Sequence, residues 1–231
     1  MLGRLVKHLV SLSTGVLLST ALLHVLPEAF ESGADTHSLF ATLLAGLLFF
    51  FLLEKAELYR HAHHHEGDGH DHHHDFDAEQ AGRGGISVLV GDSIHNFCDG
   101  IIIAAAFLAS PELGVTTALA IILHEIPQEV GDTIVLINAG FSRRKALLYN
   151  AASGLTAVVG GVLGYFVVGS WQGMFPYLLV VASSSFIYVA VADLIPQMQR
   201  QLPWRDIVSQ VAWIGAGLVL VVAATRLMQA H

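Results

Sequence analysis

Two stretches decide the fold: residues 91–107, GDSIHNFCDGIIIAAAF, and residues 119–132, LAIILHEIPQEVGD. Each is an apolar run long enough to enter a bilayer, yet the first carries Asp92, His95, Asn96 and Asp99, and the second His124, Glu125, Gln128, Glu129 and Asp132. An ionisable side chain at the centre of a membrane helix costs roughly 2.5 kcal/mol or more, so it persists where it faces a bundle interior and acts there. On a 3.6-residue helix, positions i, i+3, i+4 and i+7 share a face. Asp92, His95, Asn96 and Asp99 therefore form one polar stripe. His124, Glu125, Gln128 and Asp132 form a second, with Glu129 at its margin. Facing stripes would combine two imidazoles, several carboxylates and two amides, a mixed N and O donor set that suits Zn²⁺ and similar borderline ions. No thiolate cluster is available to hold the ion too tightly for release. The plainer alternative, polar groups pairing across a helix interface, accounts for one such residue better than for two clusters at matched spacing.

Outward from these stretches the chain is apolar throughout. Of its 231 residues, 54% are hydrophobic and 13% charged, and the mean hydropathy is +0.60. Soluble domains carry about 25% charged residues. We expect an all-α integral membrane protein with seven transmembrane helices at about 5–28, 36–58, 84–109, 113–138, 143–169, 174–197 and 206–228, forming a single transmembrane domain over 1–231. Net charge is −8, which argues against nucleic acid as a partner. The single cysteine, Cys98, excludes a disulfide framework and a cysteine-rich zinc module. It lies off the polar stripe, where a packed small side chain is the favoured reading over a soft ligand. No phosphate-binding GxxxxGK[ST] loop is present, so nucleotide-driven transport is not expected.

Lys and Arg set the orientation. Arg4, Lys7, Lys55, Arg60, Arg83, Arg143, Arg144, Lys145, Arg200 and Arg205 all fall on one side of seven alternating spans, which is expected to be cytoplasmic. Glu28, Glu31, Asp35 and Glu112 fall on the other, with Arg226. The long connection 59–83 then lies in the cytoplasm. It holds eight of the fourteen histidines among acids and glycines, a composition expected to be disordered and to bind metal loosely through His63, His64, His65, His70, His72, His73 and His74.

Span one ends His24-x-x-Pro27 and span six ends Asp193-x-x-Pro196, and the two run in opposite directions. Spans three and four are likewise antiparallel and carry His95-Asn96-x-x-Asp99 against His124-Glu125-x-x-Gln128. This is the signature of an inverted-repeat transporter with kinked helices. Asp92, Glu129 and Asp132, with His24 and Asp193, are candidate path residues. Asn150 is a polar position at the inner end of span five. Pro127 is expected to kink span four and free the carbonyl of residue 123. Gly160-xxx-Gly164 in span five permits close helix packing, either in a homodimer or inside the chain.

The residues LLHVLPEA at 22–29, HNFCDG at 95–100, HEIPQEVGD at 124–132 and ADLIP at 192–196, with the His-rich loop, resemble the ZIP (Zrt/Irt-like) family of divalent-metal transporters. The resemblance covers essentially the whole chain and is strongest to the branch whose second motif reads HEXPHE. It implies a primary metal position at His95, Asp99, His124 and Gln128, and a secondary one at Asn96 and Glu125. Gln128 stands where that branch has a second His, which exchanges an imidazole for an amide oxygen. The choice among Zn²⁺, Fe²⁺, Mn²⁺ and Cd²⁺ stays open. Some members add a carboxylate from the next span, whereas SGLTAVVG here has none. The family pattern has eight spans with both termini outside, so the expectation is a chain lacking the family's first helix. The function expected is transport of divalent metal toward the cytoplasm across the inner or plasma membrane, with no resident cofactor and no enzymatic activity. Two rivals stand against it. An intramembrane zinc hydrolase lacks its HExxH here, since the fifth position of that window is Gln128. A cation/proton exporter would place its ligand clusters on non-adjacent spans.

Overall fold

The computed structural model describes residues 2–62, 78–169, 172–199 and 203–229. The main helices are α1 (Leu2–Thr20), α2 (Leu26–Glu31), α3 (Thr36–Ala62), α4 (Ala78–Ala109), α5 (Pro111–Asn138), α6 (Arg143–Gly154), α7 (Thr156–Gly169), α8 (Phe175–Tyr188), α9 (Ile195–Met198) and α10 (Trp204–Gln229). No strand occurs among the described residues, so the chain is an all-α membrane protein as expected. Helix reaches into the stretch 59–83 from both sides, because α3 runs to Ala62 and α4 starts at Ala78. Ala, Glu and Gln at 78–80 are good helix formers. His63, His64, His65, His70, His72, His73 and His74 lie outside the described residues.

Among the described residues, six helical segments are long and apolar enough to cross a membrane: Val6–Glu31, Thr36–Leu53, Val88–Ala109, Arg143–Val167, Phe175–Met198 and Trp204–Leu227. The expected fourth span, α5, is missing from that set because Glu112, Glu125, Glu129 and Asp132 lower its hydropathy. It is nonetheless 28 residues long and packs against α1, α4 and α6. Its hydropathy is low because it carries so much of the polar site.

The helices that end His24-x-x-Pro27 and Asp193-x-x-Pro196 share a local distortion. Ala21–Val25 and Val189–Leu194 are π-helical turns. In both, the residue just before the proline bonds five residues back: Leu26 N–H to the Ala21 carbonyl, and Ile195 N–H to the Ala190 carbonyl. A proline ring crowds the carbonyl four residues earlier and offers no N–H. One wider turn absorbs that mismatch without breaking the helix. The fifth span is interrupted at Leu155, between α6 and α7. Gly154 weakens the helix there, and Thr156 Oγ1 bonds the Ser153 carbonyl (2.6 Å) and the Ser93 carbonyl of α4 (2.7 Å).

The Gly160-xxx-Gly164 stripe makes an internal contact. Gly160 lies on the Phe97 backbone and Gly164 on Ile101, while Gly100 of α4 lies on the Ala157 carbonyl of α7. On the other flank Gly217 of α10 meets Leu12, Gly15 and Val16 of α1. Between these flanks sit α1, α5 and α8, whose Leu17, Ala120, Val180 and Phe186 are fully enclosed. Large apolar side chains face outward on α3 (Phe40, Leu44, Leu48), α7 (Val158, Val162) and α10 (Val211, Val219), as a lipid-facing surface requires.

Candidate metal site

The α4 and α5 stripes meet. His124 Nε2 lies 3.3 Å from His95 Nε2, 3.4 Å from Asp99 Oδ2 and 3.3 Å from Glu125 Oε1. His95 Nε2 lies 3.6 Å from Glu125 Oε1 and 3.8 Å from Asp99 Oδ2. Four ligands about 2.0–2.1 Å from a tetrahedral ion stand about 3.3–3.4 Å apart, close to the shorter of these separations. His124 and Asp99 are buried, and His95 and Glu125 largely so.

Hydrogen bonding orients the donors. His124 Nδ1 lies 3.2 Å from the Ala120 carbonyl. A carbonyl only accepts, so Nδ1 carries a proton, and Nε2 faces the two carboxylates, where it could offer a lone pair to an ion. Neither oxygen of Asp99 nor of Glu125 has a hydrogen-bond donor. Two carboxylates and two imidazole nitrogens thus converge with no Lys or Arg among the described residues paired to them. Such a group is stable at low dielectric only with a cation or protons at its centre.

A second, all-oxygen group adjoins the first: Asp92, Glu125 and Glu129. Glu125 belongs to both. Asn96, implied by the resemblance as a ligand, donates to Asp92 Oδ1 (2.9 Å) and to the Asp92 carbonyl (3.1 Å). Ser153 of α6 donates to Asp92 Oδ2 (2.5 Å). The Gln128 amide also reaches Asp92. Glu125 joins His95, Asp99 and His124 in the His/carboxylate group, and Gln128 lies within reach of Asp92. Asn150 Nδ2 bonds the Glu129 carbonyl (2.9 Å) and Thr133 Oγ1 (3.1 Å), tying α6 to α5.

The carbonyl that Pro127 frees has a partner. Ser13 of α1 donates to the Leu123 carbonyl at 2.6 Å, so α1 is fastened to α5 at the residue preceding His124. A hydroxyl thus takes up the carbonyl that Pro127 frees, and α5 runs as one helix through Pro127. Ser13 and Ser153 escape a reading of the sequence because serine is common on helix-packing faces, and no spacing marks these two. Among the path candidates, Asp132 lies within electrostatic reach of Asp92, Glu125, Glu129 and Asp193. Asp193 is exposed and held by Gln197 Nε2 (2.9 Å). His24 stands apart, with Nε2 3.1 Å from Thr225 Oγ1 of α10. Cys98 is a free, partly buried thiol outside both groups.

Residues 55–225 match the family model for the ZIP zinc transporter. The chain belongs to the ZIP family. Among relatives, it is 32% identical to zinc transporter ZIP13 of Pongo abelii over 94% of this chain and 66% of that protein. It is 42% identical to zinc transporter ZIP4 of Mus musculus and of Homo sapiens, each over 51% of this chain. The chain covers only 18% of the length of each of these ZIP4 proteins. The two ZIP motifs, His95–Gly100 and His124–Asp132, lie inside the matched region and supply all four members of the His/carboxylate group.

Proposed function

We propose that this ZIP-family chain carries divalent metal ions, Zn²⁺ foremost, across a membrane toward the cytoplasm. The observation that carries the reading is the convergence of His95, Asp99, His124 and Glu125 at ligand-to-ligand separations suited to a tetrahedral ion. The names of the relatives, all zinc transporters, agree with it. In this reading seven helices cross the membrane, α5 among them, and the basic ends face the cytoplasm. The ion arrives from the Glu28 and Glu112 side, exchanges water for the two imidazoles and two carboxylates, and passes to the oxygen group of Asp92, Glu125 and Glu129. Asp132 and Asp193 continue the acidic route toward the basic, loop-bearing side. His63–His65, His70 and His72–His74 then meet the ion after entry. The shared π-turns of the His24 and Asp193 helices support an inverted repeat, and by family resemblance alternating access follows from one helix group sliding on the other.

Glu125 is the member through which an ion would move from one group to the next, because it belongs to both. Gln128, turned to Asp92, leaves the first group with two nitrogens and two carboxylate oxygens, a set that also accepts Fe²⁺, Mn²⁺ and Cd²⁺. An intramembrane hydrolase would need a water at an open metal position beside a substrate cleft. Zinc uptake by purified protein in proteoliposomes, read with an internal metal-sensitive dye, tests the transport reading. His124→Ala and Asp99→Ala should reduce uptake to background while both proteins still insert. Wild-type rates in both would refute it.

A further inference from the structure

Buried Ser and Thr hydroxyls on the helices of this bundle usually donate to the carbonyl four residues earlier, as Thr14, Ser19, Thr116, Ser184 and Thr225 do. Thr20, Thr117 and Ser183 break that habit. All three are fully buried and none of their hydroxyls has a hydrogen-bond partner. A buried polar group left in this condition costs roughly 1–3 kcal/mol, so three of them in one place would be a steep loss unless they serve a purpose.

Helical spacing sets all three on the acidic-end side of the His/carboxylate group. Ser13 Oγ meets the carbonyl of Leu123, which levels α1 with α5 at the His124 turn. The two helices run in opposite directions. Seven residues onward along α1 is Thr20, and seven back from His124 along α5 is Thr117. Each step is about 10 Å, toward the same end of the bundle, and each returns to the same helix face. Ser183 shares a face of α8 with Phe186, whose ring lies 6.4 Å from that of His124. It lies one turn from Phe186 in the same direction. One turn further on that face is Leu179, which lines a cavity of about 560 Å³ together with Glu28, Glu31 and Phe175. The order from the acidic end inward is therefore an acid-lined cavity, then Leu179 with Thr20 and Thr117 at about the same depth, then Ser183 about 6 Å deeper, and then the His/carboxylate group. Ser185, also unpartnered, lies about 100° round α8 from Phe186 and outside this column.

We propose that Thr20, Thr117 and Ser183 form a transit site for a partly dehydrated divalent cation between the outer cavity and the His/carboxylate group. The proposal rests on the transport reading above. A hydroxyl rotates freely. It can donate to the carbonyl four residues back while turning a lone pair to an ion. Neutral oxygens replace part of the hydration shell without the charge that would trap the ion. Glu28 and Glu31 raise the local cation concentration at the mouth.

The test is zinc uptake into proteoliposomes by the full chain, comparing wild type with the triple variant Thr20→Val, Thr117→Val and Ser183→Ala. Equilibrium zinc binding and thermal stability are measured on the same preparations. The expected result is a roughly tenfold or greater fall in maximal rate, with zinc binding unchanged and the melting temperature equal or higher, since unpaired polar groups have been removed. Thr20→Ser with Thr117→Ser keeps the hydroxyls and should keep the rate. A triple variant that transports like wild type overturns the transit site alone. So does a hydroxyl-retaining pair that is as slow as the triple variant. A wild-type protein that moves no zinc overturns the transport reading, and the transit site with it.

Discussion

The bond from Ser13 to the Leu123 carbonyl is a sensitive place to perturb the bundle, because it answers a vacancy that Pro127 creates. Residue 127 would normally donate to that carbonyl, and proline has no N–H. Ser13→Ala leaves a buried carbonyl beside His124 with no donor, at a cost of about 1–3 kcal/mol. For a chain of this length that corresponds to a fall of roughly 2–10 °C in the thermal midpoint. In a Pro127→Ala background the residue 127 N–H satisfies the carbonyl, so the same serine substitution should cost little. The two sites should show a coupling of about 1–2 kcal/mol in a double-mutant cycle. The assay is thermal unfolding of the four purified proteins in one detergent, with zinc binding measured alongside. Equal costs of Ser13→Ala in both backgrounds would refute the idea that the serine replaces the missing helix bond.

Other outcomes follow from the same contacts. Gly160→Val places carbon against the Phe97 carbonyl and should destabilise the α4–α7 seam by about 1–3 kcal/mol or abolish folding, read as lost monodisperse protein. Ser153→Ala removes the donor to Asp92 Oδ2 and should weaken metal affinity about 10–100-fold in equilibrium titration. Gln128→His should strengthen Zn²⁺ relative to Mn²⁺ in competition uptake, because an added imidazole favours the more borderline ion. Asp35, outside the membrane, accepts the Ser38 backbone N–H and hydroxyl (both 2.8 Å), which hold its carboxyl below the ordinary range. The cap on α3 should be complete above about pH 3.9 and lost as pH falls through the lower folded midpoint. A midpoint at or above about 3.9 by NMR titration contradicts that.

The polar residues that form the site were legible in the sequence because charge inside an apolar run is too costly to persist without a role. Helical spacing alone put His95 with Asp99 and His124 with Glu125 on facing stripes. Spacing does not say which of Glu125 and Gln128, three residues apart on one face, turns inward. In the fold Glu125 stands among the two imidazoles and Asp99, and Gln128 is within reach of Asp92 on the neighbouring helix. The His24 and Asp193 motifs were visible as matched prolines, but a proline alone does not announce a π-turn, since α5 runs as an α-helix through Pro127. The seven-span reading included α5 at 113–138, although its site residues lower its hydropathy below that of the six apolar segments. The Gly160-xxx-Gly164 stripe announced close packing without naming its partner, since a glycine face fits a second copy or a neighbouring helix equally well until α4 fills it. Hydroxyls such as Ser13, Ser153 and Thr117 were silent, because serine and threonine in membrane helices are ordinarily absorbed by their own backbone.

Whether His95, Asp99, His124 and Glu125 hold the transported ion is decided by the coordination shell of zinc, bound at one equivalent to protein whose loop histidines 63–74 are replaced by alanine. X-ray absorption should show four N/O ligands at about 2.0 Å with scattering from two imidazoles, reduced to one by His124→Ala. A sulfur ligand, a six-oxygen shell, or a spectrum unchanged by His124→Ala would contradict the assignment.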